Sequence, residues 1–289
     1  MKISVFCPTR NRKDMLTRGI DSLIDNAHDV SNVEFVLRFD RDDKETINQV
    51  VEHYDARRIG SKVISNDFTW GKSRFKVIET RTKKLDILMK FVVGKRHGYG
   101  FINRYNDESM FISEGEYLLH WTDDFELMSS SKYSGWDELI REGKGQNYIF
   151  FFRDAARSGK PAVGPIGIPR KWFEINGRLC PNVLDDWWYP EICKVLDPDT
   201  RVVLDWNMRH HNVWNTPNAD KTCKEGRTVF DKERERNLKG YEYYNVDEMM
   251  KIKEYIDKHP NTKKTSQDHD GSFSGQPFWK KVGASGRWG

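Results

Sequence analysis

Cysteine is scarce and unpatterned. Cys7, Cys180, Cys193 and Cys223 are the only four, with neither the paired spacing of a metal knuckle nor the density of a disulfide scaffold. A reduced compartment is the simplest reading. Long apolar runs are also missing: nothing approaches the roughly 18 residues of a membrane span. The opening Met1-Lys2-Ile3-Ser4 enters a strand at once, without the apolar region of a signal peptide. A soluble, cytoplasmic protein without an integral membrane segment is the expectation, one that meets its partners in solution or at a surface. Charge of one sign is lacking too. Lys and Arg total 48 against 44 Asp and Glu, a net +4, so overall charge does not mark a nucleic-acid binder. There is no internal repeat.

What the chain does have is aromatic bulk. Its 10 Trp, 11 Tyr and 16 Phe supply large buried area from few positions and exclude a disordered chain. At 289 residues it can hold one large α/β domain with an appended tail. Ile3 to Phe6 read as a buried strand ending in the polar loop Cys7-Pro8-Thr9-Arg10-Asn11-Arg12. Leu16, Ile20, Leu23, Ile24 and Ala27 then recur at helical spacing, with Asp14 as the expected cap. A second strand, Val33 to Phe39, stops at Asp40-Arg41-Asp42-Asp43. A second amphipathic segment follows through Ile47, Val50, Val51 and Tyr54, and Lys62 to Ser65 reads as a third short strand. This alternation predicts an α/β fold with a mainly parallel central sheet and crossover helices. Ligands on such sheets lie at the carboxyl ends of the strands, where the polar and acidic loops fall.

The middle is less regular. Trp70 to Met110 is rich in Lys, Arg and Gly, with one apolar stretch from Leu85 to Val93. Gly115 to Trp121 then reads as a strand running into Thr122-Asp123-Asp124, and Tyr148 to Phe152 is another strand candidate before a Gly/Pro-rich stretch from Gly159 to Pro169. Character changes near residue 226, which sets the expected division: 1–225 as the main domain and 226–289 as a helical and irregular extension. Val246 to His259 reads as a helix with Met249, Ile252 and Ile256 on one side. The end of the chain is Gly/Ser-rich, basic (Lys263, Lys264, Lys280, Lys281, Arg287) and dotted with aromatics.

Adjacent carboxylates at a strand end place hard oxygen ligands at the mouth of the sheet, where a divalent cation could bridge diphosphate oxygens. Side chains alternate along extended chain, so Asp123 and Asp124 need not share one role. An aspartate pair alone is more often a solvated turn or cap. Its company carries the case. Ser4 to Arg12 resembles the opening of family 2-like GT-A glycosyltransferases, whose first strand ends in a Pro-Thr-x-Asn-Arg-like loop. Asp40 with Asp42 or Asp43 is similar to the family's acidic loop after the second strand. Asn106 followed by Gly115-Glu116-Tyr117 and the Asp pair is similar to its Asn…Gly-Glu-Tyr…Asp-Asp segment, although Thr122 stands where many members have Asp. The resemblance spans Lys2 to Asn218.

That resemblance implies a GT-A, Rossmann-like fold and a nucleotide-sugar donor, with UDP as the default carrier. It implies Mn²⁺ or Mg²⁺ as cofactor. Pro8, Thr9, Arg10, Arg12, Asp40, Asp42, Asn106 and Asp123 would bind the donor, and Asp124 the metal. Asp185-Asp186, beside Trp187-Trp188, is similar in position to the family's acceptor-side acidic motif. It implies Asp186 as the base, with Asp185 as the alternative, and an inverting transfer; a capped helix start with two core tryptophans is the plainer reading. A late His completes the metal site in many such enzymes, so His210 or His211 is a candidate ligand, one of them only because adjacent residues diverge. Lys221, Lys224 and Arg227 lie where a loop could close over a donor, though a solvated charge run accounts for them equally. The acceptor stays open between a carbohydrate or other hydroxylated molecule and DNA carrying a hydroxymethylated base, which the basic, aromatic tail and the basic middle could hold. A nucleotidyltransferase would want a Gly-rich loop after the first strand, which is missing. A non-catalytic nucleotide-sugar-binding module is the remaining alternative.

Overall fold

The computed structural model describes residues 1–55, 63–70, 73–83, 85–97, 102–128, 135–155, 160–179, 185–211, 228, 246–263 and 268–269. An eleven-stranded sheet runs through it. At its centre β1 (Ile3–Thr9) pairs in parallel with β2 (Val33–Asp40) on one side and β6 (Tyr117–His120) on the other. Beyond β2 lies β5 (Leu88–Gly94), also parallel. The sheet is therefore parallel where the sequence pattern is clearest.

Its margins are antiparallel. β3 (Val63–Trp70) and β4 (Ser73–Arg81) form a hairpin that continues outward from β5. The third strand expected at Lys62–Ser65 thus belongs to an antiparallel edge, and β2's parallel neighbour is the apolar stretch after Leu85. The signal for β4 is present in hindsight: Phe75 and Val77 are buried while Arg74 and Lys76 are exposed, a period of two. On the other margin β9 (Lys160–Pro169) runs antiparallel to both β6 and β8 (Ile149–Asp154). The Gly/Pro-rich stretch is therefore a strand. Its glycines are packing devices: a Cβ on Gly164 would sit 3.1 Å from the Phe125 ring, and one on Gly167 3.3 Å from Phe150. Outside β8 come β10 (Arg201–His210), parallel to β8, and then the short β7 (Phe125–Leu127) and β11 (Asp268–His269), both antiparallel to β10. Two antiparallel steps, β6 to β9 and β9 to β8, restore direction. The carboxyl end of β10 consequently faces the same way as those of β1, β2 and β6.

Helices cover both faces. Strand alternation sorts β2 cleanly: Val33, Phe35, Leu37 and Phe39 join the core under α1 (Lys13–Asp25) and α2 (Lys44–His53), while Val36 joins the opposite core. In α1 the expected stripe is buried at Leu16, Ile20 and Leu23, each contributing about 1.5–3 kcal/mol by burial. Asp14 is not its cap; the N-cap position is Arg12 and Asp14 lies in the first turn, where its charge suits the helix dipole. The opposite core packs α3 (Ile102–Ile112), α5 (Arg170–Asn176), α6 (Asp185–Cys193) and α7 (Val246–Lys258) through Met110, Trp172, Phe173, Trp188, Tyr189, Met249, Ile252 and Ile256. α4 (Trp136–Arg141) closes the first core with Trp136.

The chain after residue 246 is stitched into this sheet. The Gln146 side-chain oxygen accepts from Thr262 N at 2.7 Å, Asn147 N donates to Asn261 Oδ1 at 2.6 Å, and β11 adds to β10 at Val202–Val203.

Candidate active site

β1 and β2 run in register to Thr9↔Phe39, and the ladder to β6 stops at Phe6. Pro8, which has no N–H to give, therefore sits where β1 has left its β6 partner. Three loops leave the sheet side by side there, after β1, β2 and β6, and their charged groups meet.

The β1 loop reaches all of its acidic neighbours. Asn11 adopts φ 53°, a left-handed conformation that Asn tolerates, and its N–H donates to Asp43 Oδ2 at 2.8 Å. That turn splits the two arginines. Arg10 Nη1 bonds Asp40 Oδ2 at 2.7 Å and Asp42 Oδ1 at 2.8 Å, and its Nη2 reaches Asp42 Oδ2 at 3.0 Å. Arg12 Nη1 instead donates to Asp123 Oδ1 at 2.9 Å, while Thr9 Oγ1 donates to Asp123 Oδ2 at 2.9 Å. Both Asp123 oxygens are thus held by the β1 loop.

Asp124 faces the other way. Its Oδ1 accepts from Thr122 Oγ1 at 2.8 Å and its Oδ2 lies 3.1 Å from His210 Nε2. β10 delivers that imidazole: His210 pairs with Phe125 across the β10–β7 ladder, and its ring stacks on Phe125 at 4.3 Å. His211 N donates to the Asp124 carbonyl at 2.9 Å, but its ring turns to Glu126 Oε2 at 2.8 Å. The adjacent histidines diverge as extended chain requires, and geometry separates their environments.

The two carboxylates also differ electrostatically. Burial pushes Asp123 up to about 6, against the pull of Arg12 and with the push of Asp124. Burial works against the Asp124 charge as well, but the His210 hydrogen bond and charge outweigh it and hold that carboxyl below its usual range. Cys7 lies buried near both; burial first, then Asp123 and Asp124, push its thiol up, so it stays protonated and is no nucleophile.

Behind Asp40 stands a group that sequence reasoning missed. Arg38 is wholly buried in β2; its Nε donates to Glu108 Oε2 at 2.6 Å and its Nη1 lies 3.4 Å from Asp40 Oδ1. Its Nη2 donates to the Lys95 carbonyl at 2.8 Å. Glu108, on α3, also meets His97 Nε2 at 2.7 Å. A lone Arg inside Val33-Glu34-Phe35-Val36-Leu37-Arg38-Phe39 was the available signal, since buried charge needs a partner. Glu126 was missed likewise; an alternating strand residue two beyond Asp124 gives no warning.

The structure therefore brings together Thr9, Arg10, Arg12, Asp40, Asp42, Asp123, Asp124 and His210. Asn106 is 1% exposed on α3, with its side-chain oxygen unpaired among the described residues and no bond to these carboxylates. Asp185 and Asp186 open α6, and Trp188 is buried; the side chains of Asp185, Asp186 and Trp187 lie outside the described residues. Lys221, Lys224, Arg227 and the basic tail beyond His269 also lie outside them, except that Lys263 precedes β11.

A divalent cation finds one carboxylate and one imidazole close together at Asp124 and His210. Among the described residues no group of three His, Cys, Asp or Glu side chains is placed to hold one. The donor set fits a cation that takes its remaining ligands from diphosphate and water, and does not fit a closed protein cage.

No protein-family model matches the chain, and no curated protein matches it. Among solved structures it is similar to S. aureus TarS 1-349 in complex with UDP, at 15% identity and TM-score 0.46 over 72% of this chain and 60% of that one. TarS 1-349 without a named ligand matches at 12% identity and TM-score 0.49 over 96% of this chain and 100% of that one. The mannosyltransferase PcManGT from Pyrobaculum calidifontis in complex with GDP-Man and Mn2+ matches at 11% identity and TM-score 0.45, covering 70% of this chain and 56% of that one. The chain thus spans less than two thirds of the length of the UDP-bound TarS and PcManGT chains. Likeness this distant does not assign an activity, and what this chain does has to be argued from its own residues.

Proposed function

We propose that this protein is a metal-dependent glycosyltransferase that moves a sugar from a nucleoside diphosphate carrier, UDP by default, to a hydroxyl acceptor. One observation carries the reading: adjacent aspartates at the carboxyl end of a central strand are split between two tasks. Asp123 is tied into the arginine-bearing β1 loop and Asp124 is paired with His210 at 3.1 Å.

In this reading Arg10 and Arg12 now neutralise carboxylates and exchange part of that pairing for the donor's phosphates, which guanidinium groups bind in the same geometry. Asp40 and Asp42 face the nucleoside, with Asp40 held from behind by Arg38. Asp124 and His210 hold Mn²⁺ or Mg²⁺, which when bound stabilises the charge on the departing diphosphate. Asp186, or Asp185, takes the acceptor hydroxyl's proton as that oxygen bonds to the anomeric carbon. The bond from that carbon to the diphosphate oxygen breaks, and the nucleoside diphosphate leaves with its electrons; a single displacement inverts the centre. The acceptor is a carbohydrate or other hydroxylated molecule. The reading places the protein in an aqueous compartment; no helix among the described residues is long and apolar enough to cross a membrane.

The test is a screen of UDP- and GDP-sugars for hydrolysis or transfer with Mn²⁺, comparing wild type with Asp124→Ala and offering free sugars and hydroxymethylated duplex DNA as acceptors. Metal-dependent turnover of one donor, lost in Asp124→Ala, supports the reading. Acceleration by DNA alone moves the acceptor to nucleic acid. Tight UDP binding without turnover of any donor leaves a non-catalytic binding module in its place.

A further inference from the structure

α7 lies far along the chain from the carboxylate motifs, yet it grips the segment that leads to Asp185-Asp186. α5 ends at Gly177, in the left-handed region at φ 68°, with its N–H returned to the Phe173 carbonyl at 2.6 Å. The next two residues are held by three different elements. Arg178 Nε lies 3.0 and 3.2 Å from the two carboxylate oxygens of Glu248 on α7, and its Nη2 also donates to Glu248 Oε1. The Leu179 N–H donates to Asp107 Oδ1 on α3 at 2.8 Å, and the Leu179 carbonyl accepts from the Tyr189 hydroxyl on α6 at 3.3 Å. Only residues 180–184 separate this fixed point from the first residue of α6.

The grip is costly to build, which argues against an incidental contact. Asp107 is 3% exposed, and burial raises its carboxyl to about 8, the Leu179 N–H and Arg178 pulling it back. A buried carboxylic group used only to accept one backbone N–H could be replaced by the neutral polar groups that satisfy most buried amides. Glu248 is likewise mostly shielded, at 12% side-chain exposure. Around them the side chains of Leu179, Trp188 and Met249 form one apolar core.

We propose that Asp107 and Glu248 are positioning residues: they fix the chain at Arg178–Leu179 so that the start of α6 presents its aspartates to the acceptor, which makes α7 part of the acceptor side. This rests on the reading of Asp185-Asp186 as the acceptor-side motif. The donor site is reached through other elements and keeps its geometry when the grip is released.

The experiment uses the full chain and four proteins: wild type, Glu248→Arg, the charge exchange Arg178→Glu with Glu248→Arg, and Asp107→Ala. Hydrogen exchange is followed in peptides spanning 178–193 and 117–127, UDP binding is measured with Mn²⁺, and turnover is measured with whichever UDP- or GDP-sugar the wild type uses. In Glu248→Arg and Asp107→Ala, exchange over 178–193 rises at least about tenfold while 117–127 is unchanged. kcat falls about tenfold, the scale of loss expected when a reacting group is misplaced, with donor KM and UDP affinity within about twofold of wild type. The charge exchange restores both exchange and kcat to within about threefold. Wild-type exchange and kcat in the single variants would overturn the proposal, as would loosening of 178–193 with kcat unmoved. Loss of protection throughout, with UDP binding lost, assigns the contacts a general folding role and overturns it too. A wild type that turns over no donor removes the glycosyltransferase reading and this one with it, an outcome seen before any variant is made.

Discussion

Arg38 offers the sharpest test of how the site is built. Its side chain is fully buried, against Glu108 at 1% and Asp40 at 3% side-chain exposure. It donates to the carbonyls of Phe39 and Lys95 and lies 4.7 Å from the centroid of the Tyr105 ring. Arg38→Met keeps the aliphatic stem and removes the charge and every donor. Glu108 is then buried with His97 as its remaining partner, and Asp40 with Arg10. Breaking one side of a buried pair costs about 3–5 kcal/mol, mostly the expense of the stranded charge. Replacing both partners is far cheaper, so Arg38→Met with Glu108→Met recovers about 2 kcal/mol or more of that loss. Urea unfolding followed by tryptophan fluorescence reads this directly. With a slope of about 3 kcal/mol per molar, the single variant's midpoint drops by about 1–1.5 M and the double variant's by less than half of that. A single variant within about 0.3 M of wild type, or a double variant worse than the single, would refute the stranded-charge reasoning.

Further outcomes follow from the same contacts. His210→Ala weakens Mn²⁺-dependent UDP binding about tenfold or more, whereas His211→Ala, whose ring faces Glu126, stays within about threefold; calorimetric titration with and without metal separates them. Asp107 has a raised carboxyl, about 8 against an ordinary 3.8, so the folded state holds its proton more tightly than the unfolded chain. Its contribution is intact below about pH 4 and is lost as pH rises through about 8; Asp107→Asn therefore gains stability over wild type near pH 9 and not near pH 5, measured by urea midpoints at each pH. Gly115→Val places a Cβ about where Ser4 N lies, 2.5 Å away, and destabilises by about 1–3 kcal/mol or more through overpacking; a thermal midpoint unchanged from wild type would contradict that contact.

Local pattern settled a good deal of this molecule before any coordinates. Period-two burial in β1 and β2, the 3.6-residue stripe of α1 and the Val246–Met249–Ile252–Ile256 face of α7 are one-dimensional signals, because each residue's environment repeats along its own element. The acidic and basic residues after β1, β2 and β6 were legible for the same reason: strand ends are visible where apolar runs stop. What could not be read was anything that depends on partners distant in sequence. The antiparallel margins, the strand hidden in a Gly/Pro-rich stretch and the buried Arg38–Glu108 pair all owe their stability to neighbours elsewhere in the chain. The division of labour between Asp123 and Asp124 belongs here too. Alternation along extended chain allowed it, but only the sheet order, which brings the β1 loop to one carboxylate and His210 of β10 to the other, decided which group each one meets.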